Sequence, residues 1–278
     1  MLENFNSIRE LLLSGPKRTV AIATAADEEV QKAARIIEED GLAEVILVCE
    51  SNGAIAALKA AKLVRNGKAD VLMKGFVNTG DFLRAVLDKE NGIRGKGILS
   101  HLAAFETPGQ KRLIIMTDGG MNLCPTLEEK VKILDNAVKA LHKLGLECPK
   151  VAALCANEVV NPKLPSSIDA AALKQLNIEG EIAGCIVEGP IAFDVAISAE
   201  AAKHKNIESR IAGKTDLFLV PGIDSGNIMG KVLMSCAGAK MAGVVLGADA
   251  PIVLASRSDN AESKLNSLAL ACALIDEG

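Results

Sequence analysis

Residues 215–269 constrain this chain more than any other stretch, because apolar segments and turn-forming pairs alternate there in the order strand, helix, strand, strand, helix. Pro221-Gly222, Gly226-Asn227 and Ser256-Arg257 all follow the end of an apolar segment. In open α/β sheets ligands bind at the carboxyl ends of strands, where backbone N–H groups and helix N-termini bring positive partial charge together. The pattern predicts an α/β fold with a site for an anion.

The rest of the chain keeps this rhythm, which predicts a parallel sheet covered by helices on both faces. Strands are expected at 20–24, 45–49, 71–73, 113–117, 151–155, 184–187, 217–220, 243–246 and 252–255. Asp27 reads as an N-cap, Gly41 as the stop of the helix it starts, and Thr126 with Glu129 as a capping box for a long helix reaching Leu144. The opening segment carries acidic residues and sets Leu2, Phe5, Ile8, Leu11 and Leu12 on one side of a helix, so no signal peptide is expected. Lys240 and Asp249 interrupt the most apolar region, so no membrane span is expected either.

Composition excludes several function classes. A net charge of -4 without a basic block removes the electrostatic footprint of a nucleic-acid binder. With no Trp, no Tyr and six Phe, stacking platforms are scarce, and an adenine moiety would lie against aliphatic or Arg surface. Seven cysteines without a CxxC pair argue against a disulfide framework and a zinc cage, and point to the cytoplasm. Most of them sit in apolar strands and read as small buried hydrophobes, with no Cys/His arrangement for covalent catalysis.

Five constellations carry possible chemistry, each beside a plainer explanation. Gly226-Asn227 opens a helix containing Lys231, where glycine admits close approach and the first-turn N–H groups can hold phosphate oxygens; the alternative is an ordinary capped loop. Ser256-Arg257 projects from the end of an apolar strand, and the guanidinium can grip phosphate or a developing oxyanion; the alternative is a solvated arginine. Lys74-Gly75 ends another strand, with Thr79 or Asp81 as a helix cap and Lys74 and Arg84 facing a polyanion, or simply solvated. This segment lacks the Gly-Lys-Ser/Thr ending of a nucleotide-hydrolysing loop. The turn from Asp118 through Gly119 and Gly120 offers Asn122 as a donor or is only a glycine-permitted turn, and Asn157-Glu158 after strand 151–155 stands the same way. Of three histidines, His142 and His204 lie in polar helical stretches, while His101 beside Ser100 is the candidate for substrate contact.

The chain resembles the phosphotransacylase family, the phosphate acetyl- and butyryltransferases. The matching pieces are Val220-Pro221 through Gly226-Asn227 and Lys231; Ala250-Pro251-Ile252-Val253-Leu254 with Ser256-Arg257; Met73-Lys74-Gly75 with Thr79, Asp81 and Arg84; Leu99-Ser100-His101; Thr117 to Asn122 with Pro125; Asn161-Pro162-Lys163; and Gly189-Pro190 with Asp194. They cover the chain from Lys74 onward, and the wording around Asn157 and Ser256 is similar to the butyryl branch. The resemblance implies two α/β domains of the isocitrate/isopropylmalate dehydrogenase-like architecture with a cleft between them, here 1–125 plus 248–278, and 126–247. It implies direct acyl transfer from coenzyme A to inorganic phosphate, with Ser256 and Arg257 at the reacting centre.

The resemblance also implies phosphate or coenzyme A contacts at Lys74, Gly75, Thr79, Arg84, Gly226, Asn227 and Lys231, and cleft-lining positions at Ser100, His101, Asn122, Asn157 and Glu158. No metal and no permanently bound cofactor are implied; coenzyme A is substrate and product, functional coupling to an acyl kinase is expected, and the chain is expected to be a homodimer. One departure concerns the base: family acetyltransferases carry an Asp six residues after the arginine, where this chain has Ser263, so either Glu262 or Asp259 serves, with Asp259 also readable as a helix N-cap, or the thiol proton passes to water or phosphate. An acetyl-specific or acyl-carrier-protein-dependent phosphate acyltransferase, and a noncatalytic acyl-CoA or acyl-phosphate sensor, remain as alternatives.

Overall fold

The computed structural model describes residues 3–24, 28–256 and 259–275. The elements in chain order are α1 (Phe5–Ser14), β1 (Arg18–Ala23), α2 (Glu28–Glu39), β2 (Ala43–Val48), α3 (Gly53–Arg65), β3 (Val71–Lys74), α4 (Thr79–Val86), β4 (Ser100–Glu106), β5 (Ile114–Thr117) and α5 (Leu127–Lys143). There follow β6 (Lys150–Leu154), α6 (Pro165–Ile178), β7 (Ile186–Ile191), α7 (Phe193–Ile197), α8 (Ala199–His204), β8 (Leu217–Leu219), α9 (Ile223–Ala237), β9 (Lys240–Leu246), β10 (Ile252–Val253) and α10 (Ala261–Ala273). The nine expected strands are present with shifted ends, and β4 is a tenth that the sequence reading does not anticipate. Its Ser-His opening reads as a loop, although Leu102 to Phe105 are buried as a strand core.

Internal contacts divide the chain into two units. The first comprises Leu2–Leu99, Ala104–Leu113 and Gly238–Gly278, and the second Ser100–Ala103 and Ile114–Ala237. Residues 114–125 thus group with the second unit and 238–247 with the first, unlike the boundaries expected from sequence. No linker composition marks the crossings, and one of them falls inside β4 after Ala103.

In the first unit the strands run in the order β2-β1-β3-β10-β9. β1 pairs in parallel with β2 and β3, and β3 with β10, whereas β10 pairs antiparallel with β9 through Ile252 and Val245. The sheet is therefore mixed, a correction to the parallel expectation. The short connection between β9 and β10 leaves no room for the crossover that a parallel neighbour needs. α10 is buried at every residue from Ala261 to Ala273 except Glu262, as befits a helix covered on nearly all sides. Its buried Ser267 is satisfied on both sides: the hydroxyl accepts the Gly243 N–H at 2.9 Å and donates to the Ser263 carbonyl at 2.7 Å. α1 buries Phe5, Ile8 and Leu12, while Leu11, expected on the same side, is exposed.

In the second unit, which takes β4 only as far as Ala103, the order is β4-β5-β8-β6-β7, with parallel pairing of β5 to β8, β8 to β6 and β6 to β7. The capping box at Thr126 forms as the sequence predicts: the Thr126 side chain accepts the Glu129 N–H and the Glu129 carboxylate accepts the Thr126 N–H at 2.8 Å. Gly41 has a φ of +70, as a left-handed stop to α2 requires. Asp27 lies outside the described residues.

Candidate active site

Three neighbouring strands of the first unit end together. Ala23 pairs with Lys74, and Met73 with Val253, so the chain leaves β1, β3 and β10 at neighbouring levels through Thr24, Gly75 and the segment reaching Ser256. Lys74 is 4% exposed, and its Nζ lies 3.4 Å from the carbonyls of Gly75 and Val77, so it is buried rather than solvated. Gly75 is there because nothing larger fits: an added Cβ would lie 1.9 Å from the Thr24 carbonyl oxygen. Asn78 caps α4 by accepting the Gly80 N–H at 2.8 Å, which corrects the expectation of Thr79 or Asp81. Thr79 is exposed, and Arg84 donates to Asp81 at 2.6 Å from an open position. Phe76, which composition alone does not single out, stands 56% exposed at this strand end.

The loop after β10 is tied to itself. The Ser256 N–H donates to the Asp259 carboxylate at 2.8 Å, and the Lys264 ammonium, 2% exposed, donates to the Asp259 carbonyl at 2.5 Å. Asn260, not Asp259, caps α10 by accepting the Ser263 N–H at 2.9 Å. Asp259 is drawn back to Ser256 because its carboxylate satisfies a loop donor that would otherwise be left open. Glu262 is ion-paired with Lys240 at 2.8 Å, both about half exposed. Neither acid thus stands free as the expected base. Ser263 is 7% exposed, and Arg257 lies outside the described residues.

The second unit presents its own set. Asp118, 2% exposed, ends β5 and accepts the N–H groups of Gly120 and Met121 at 2.9 Å, that of Asn122 at 3.2 Å and the Asn122 amide at 2.6 Å. One carboxylate organises the whole turn, and the Asn122 amide donates inward to it. α9 begins at Ile223, so Gly226-Asn227 sits in the second turn rather than at the helix start. Gly226 is a packing residue: a Cβ there would come within 2.6 Å of the Gly119 Cα. Asn227 and Lys231 are exposed one helical turn apart.

Ser100 is fully buried, its hydroxyl accepting from the Asn136 amide at 3.0 Å, which removes it from the lining residues. The His101 carbonyl accepts the Thr117 hydroxyl at 2.9 Å, and its ring lies against Gly120, where a Cβ would fall 2.9 Å from Cγ. Beyond β6, Asn157 is half-buried and Glu158 pairs with Lys205 at 3.1 Å, while Lys205 also reaches Asp194 at 2.9 Å. The hydrogen bonds to Asp194 and then Glu158 raise the Lys205 pKa, and the bond to Lys205 lowers that of Asp194. The cysteine expectation is corrected, since Cys49, Cys124, Cys148 and Cys236 are exposed on loops and a helix end. Among the described residues no group of His, Cys, Asp and Glu is arranged to hold a metal, and no helix is long and apolar enough to cross a membrane.

Strand ends carrying hydroxyls, lysines and a self-tied loop suit recognition of an anion. Residues 53–272 match the model of the phosphate acetyl/butaryl transferase family. The chain is 45% identical to a phosphate butyryltransferase from Clostridium acetobutylicum over 98% of both chains. Its structure is similar to that of a branched-chain phosphotransacylase from Enterococcus faecalis, with 34% identity and a TM-score of 0.85 over 94% of this chain and all of the other. A 4-hydroxythreonine-4-phosphate dehydrogenase from Klebsiella pneumoniae shares the fold alone, with 13% identity and a TM-score of 0.53 over 97% of this chain and 94% of that one. The chain belongs to the phosphate acetyl/butaryl transferase family.

Proposed function

We propose that the chain is a phosphate acyltransferase converting butyryl-CoA or a branched short-chain acyl-CoA, with inorganic phosphate, into the acyl phosphate and free CoA. The observation that carries this reading is the 45% identity to a phosphate butyryltransferase along essentially the full length, with Ser256 held by Asp259 in the loop after β10, the strand that pairs with β3 and its Lys74.

The reaction needs phosphate aligned with the thioester carbonyl and charge stabilised on the carbonyl oxygen as the C–S bond breaks. Ser256 and Arg257 take the second role and Lys74 the first, and Phe76 with Arg84 meets coenzyme A. A phosphate oxygen bonds to the carbonyl carbon, the sulfur departs with the bonding electrons, and the proton of the phosphate monoanion or dianion replaces the charge on the thiolate. The departing thiolate, whose thiol has a pKa near 8.5, accepts that proton without a dedicated side-chain base. This fits the engagement of Asp259 with Ser256 and of Glu262 with Lys240.

The protein works as a cytoplasmic homodimer in this reading. α9 supports it by burying only Gly226 and Gly230 while leaving Ile228 62% and Val232 50% exposed, near Leu123 at 69%. An acyl phosphate is a reactive mixed anhydride, so an acyl kinase is a fitting consumer. The test is release of CoA thiol from butyryl-, isobutyryl- and acetyl-CoA with and without phosphate. Release only with phosphate, faster for the four-carbon donors, is expected; phosphate-independent release overturns the reaction, and equal rates on acetyl-CoA overturn the chain preference.

A further inference from the structure

Thr24 follows β1 directly and has a φ of +58, in the left-handed region. For a β-branched residue this conformation is a true outlier, and glycine or asparagine would occupy it at lower cost. Its backbone is held there from both sides: the Thr24 N–H donates to the Val48 carbonyl at 3.0 Å and the Thr24 carbonyl accepts the Phe76 N–H at 2.8 Å. Gly75 closes the clamp from β3, where any Cβ would meet the Thr24 carbonyl. The Thr24 hydroxyl oxygen is shielded from solvent and has no hydrogen-bond partner among the described residues. A buried orphan hydroxyl is a second cost, independent of the first, on the same residue.

Packing explains neither cost, since glycine would relieve the first and alanine or valine the second. Strain of this kind persists where the side chain has a task. We infer that Thr24 is a substrate-binding residue whose hydroxyl donates to a phosphate oxygen of the substrate, at the end of β1 beside the Lys74 end of β3. The residue itself is only partly buried, so rotation about its Cα–Cβ bond presents the hydroxyl without moving the clamped backbone. The register sets the place: Ala23 is opposite Lys74, so Thr24 and Gly75 come next on adjacent strands. The inference rests on the proposed phosphate acyltransferase reading, and it leaves two sources of the phosphate oxygen, the inorganic ion or coenzyme A.

The experiment compares Thr24→Gly, Thr24→Ser and the unchanged protein in thermal melting, in calorimetric titration with inorganic phosphate and separately with CoA, and in phosphate-dependent thiol release. Thr24→Gly is expected to raise the melting temperature, because it relieves the left-handed strain, and yet to weaken binding about tenfold, the factor that 1.4 kcal/mol represents. Thr24→Ser keeps the hydroxyl and is expected to keep affinity. Weakening of phosphate alone, of CoA alone or of both supports the inference and tells the sources apart. Unchanged affinity for both in Thr24→Gly overturns it, as does equal weakening in Thr24→Ser. Should the glycine variant fail to fold, Thr24→Val removes only the hydroxyl and is read in the same way. Absence of phosphate-dependent thiol release in the unchanged protein is failure of the underlying reading instead, which the binding titrations do not share.

Discussion

The carboxylate of Asp259 accepts the backbone N–H of Ser256 at 2.8 Å while its own carbonyl is held at 2.5 Å by the buried ammonium of Lys264. The loop carrying the proposed reacting serine is therefore fixed through one residue, from the body of α10. Asp259→Ala is expected to lower kcat about tenfold with little change in KM, since a misplaced group loses transition-state contacts before ground-state ones. Asp259→Asn keeps an acceptor and is expected to retain most of the rate. Steady-state kinetics on both variants checks this, and equal behaviour of the two would assign Asp259 a charge-dependent role.

Arg257 and Glu262 are expected to behave oppositely. Arg257→Lys keeps the charge and loses the bidentate fork, so turnover should fall by on the order of a hundredfold, more than KM for phosphate rises. Glu262→Gln breaks only an exposed pair with Lys240, of a kind worth about 0.2–1 kcal/mol, and should change turnover by less than about threefold. A tenfold loss in Glu262→Gln would restore the general-base role that the sequence suggests.

Stability of the second unit should weaken in acid through Glu188. Burial pushes its carboxyl up, but the hydrogen bonds from Lys174 at 2.7 Å and Arg210 at 2.9 Å outweigh this and leave its pKa below the ordinary value. A depressed folded-state pKa contributes stability above the unfolded value, near pH 4.3, which is lost as pH falls through the folded one. Glu188→Gln should cost about 2 kcal/mol at neutral pH and flatten the melting profile below about pH 4. Scanning calorimetry across pH 3 to 7 reads both, and a parallel acid loss in the variant would move the effect to other carboxylates.

How much of this was legible from sequence differs by element. The apolar runs and the Thr126 capping box place strands and helices well, because parallel strands covered on both faces are continuous hydrophobic segments such as Val20 to Ala23, all buried. β4 is missed because its Ser100-His101 opening is polar, although Ser100 is satisfied inside by Asn136. At the site, residue types marked the strand ends, but hydrogen-bond partners decided the roles. Asp259 faces Ser256 rather than the helix, Gly226 packs on Gly119, and Ser100 is buried. Thr24 carries the same strand-end signal as Ser256, but its strain lies in a dihedral that no residue type announces.

Self-association through α9 is testable by light scattering. The chain should run as a dimer at micromolar concentration, and Ile228→Glu with Val232→Glu should yield a folded monomer, because two charges cannot be buried unpaired in an interface. A monomer in the unchanged protein would contradict the dimer.

The most direct measurement follows phosphorus. Butyryl-CoA and inorganic phosphate are mixed with the protein, and the products are read by ³¹P resonance alongside thiol release. A new acyl phosphate signal growing in step with free CoA is expected. Free butyrate and CoA with the phosphate signal unchanged throughout would contradict it.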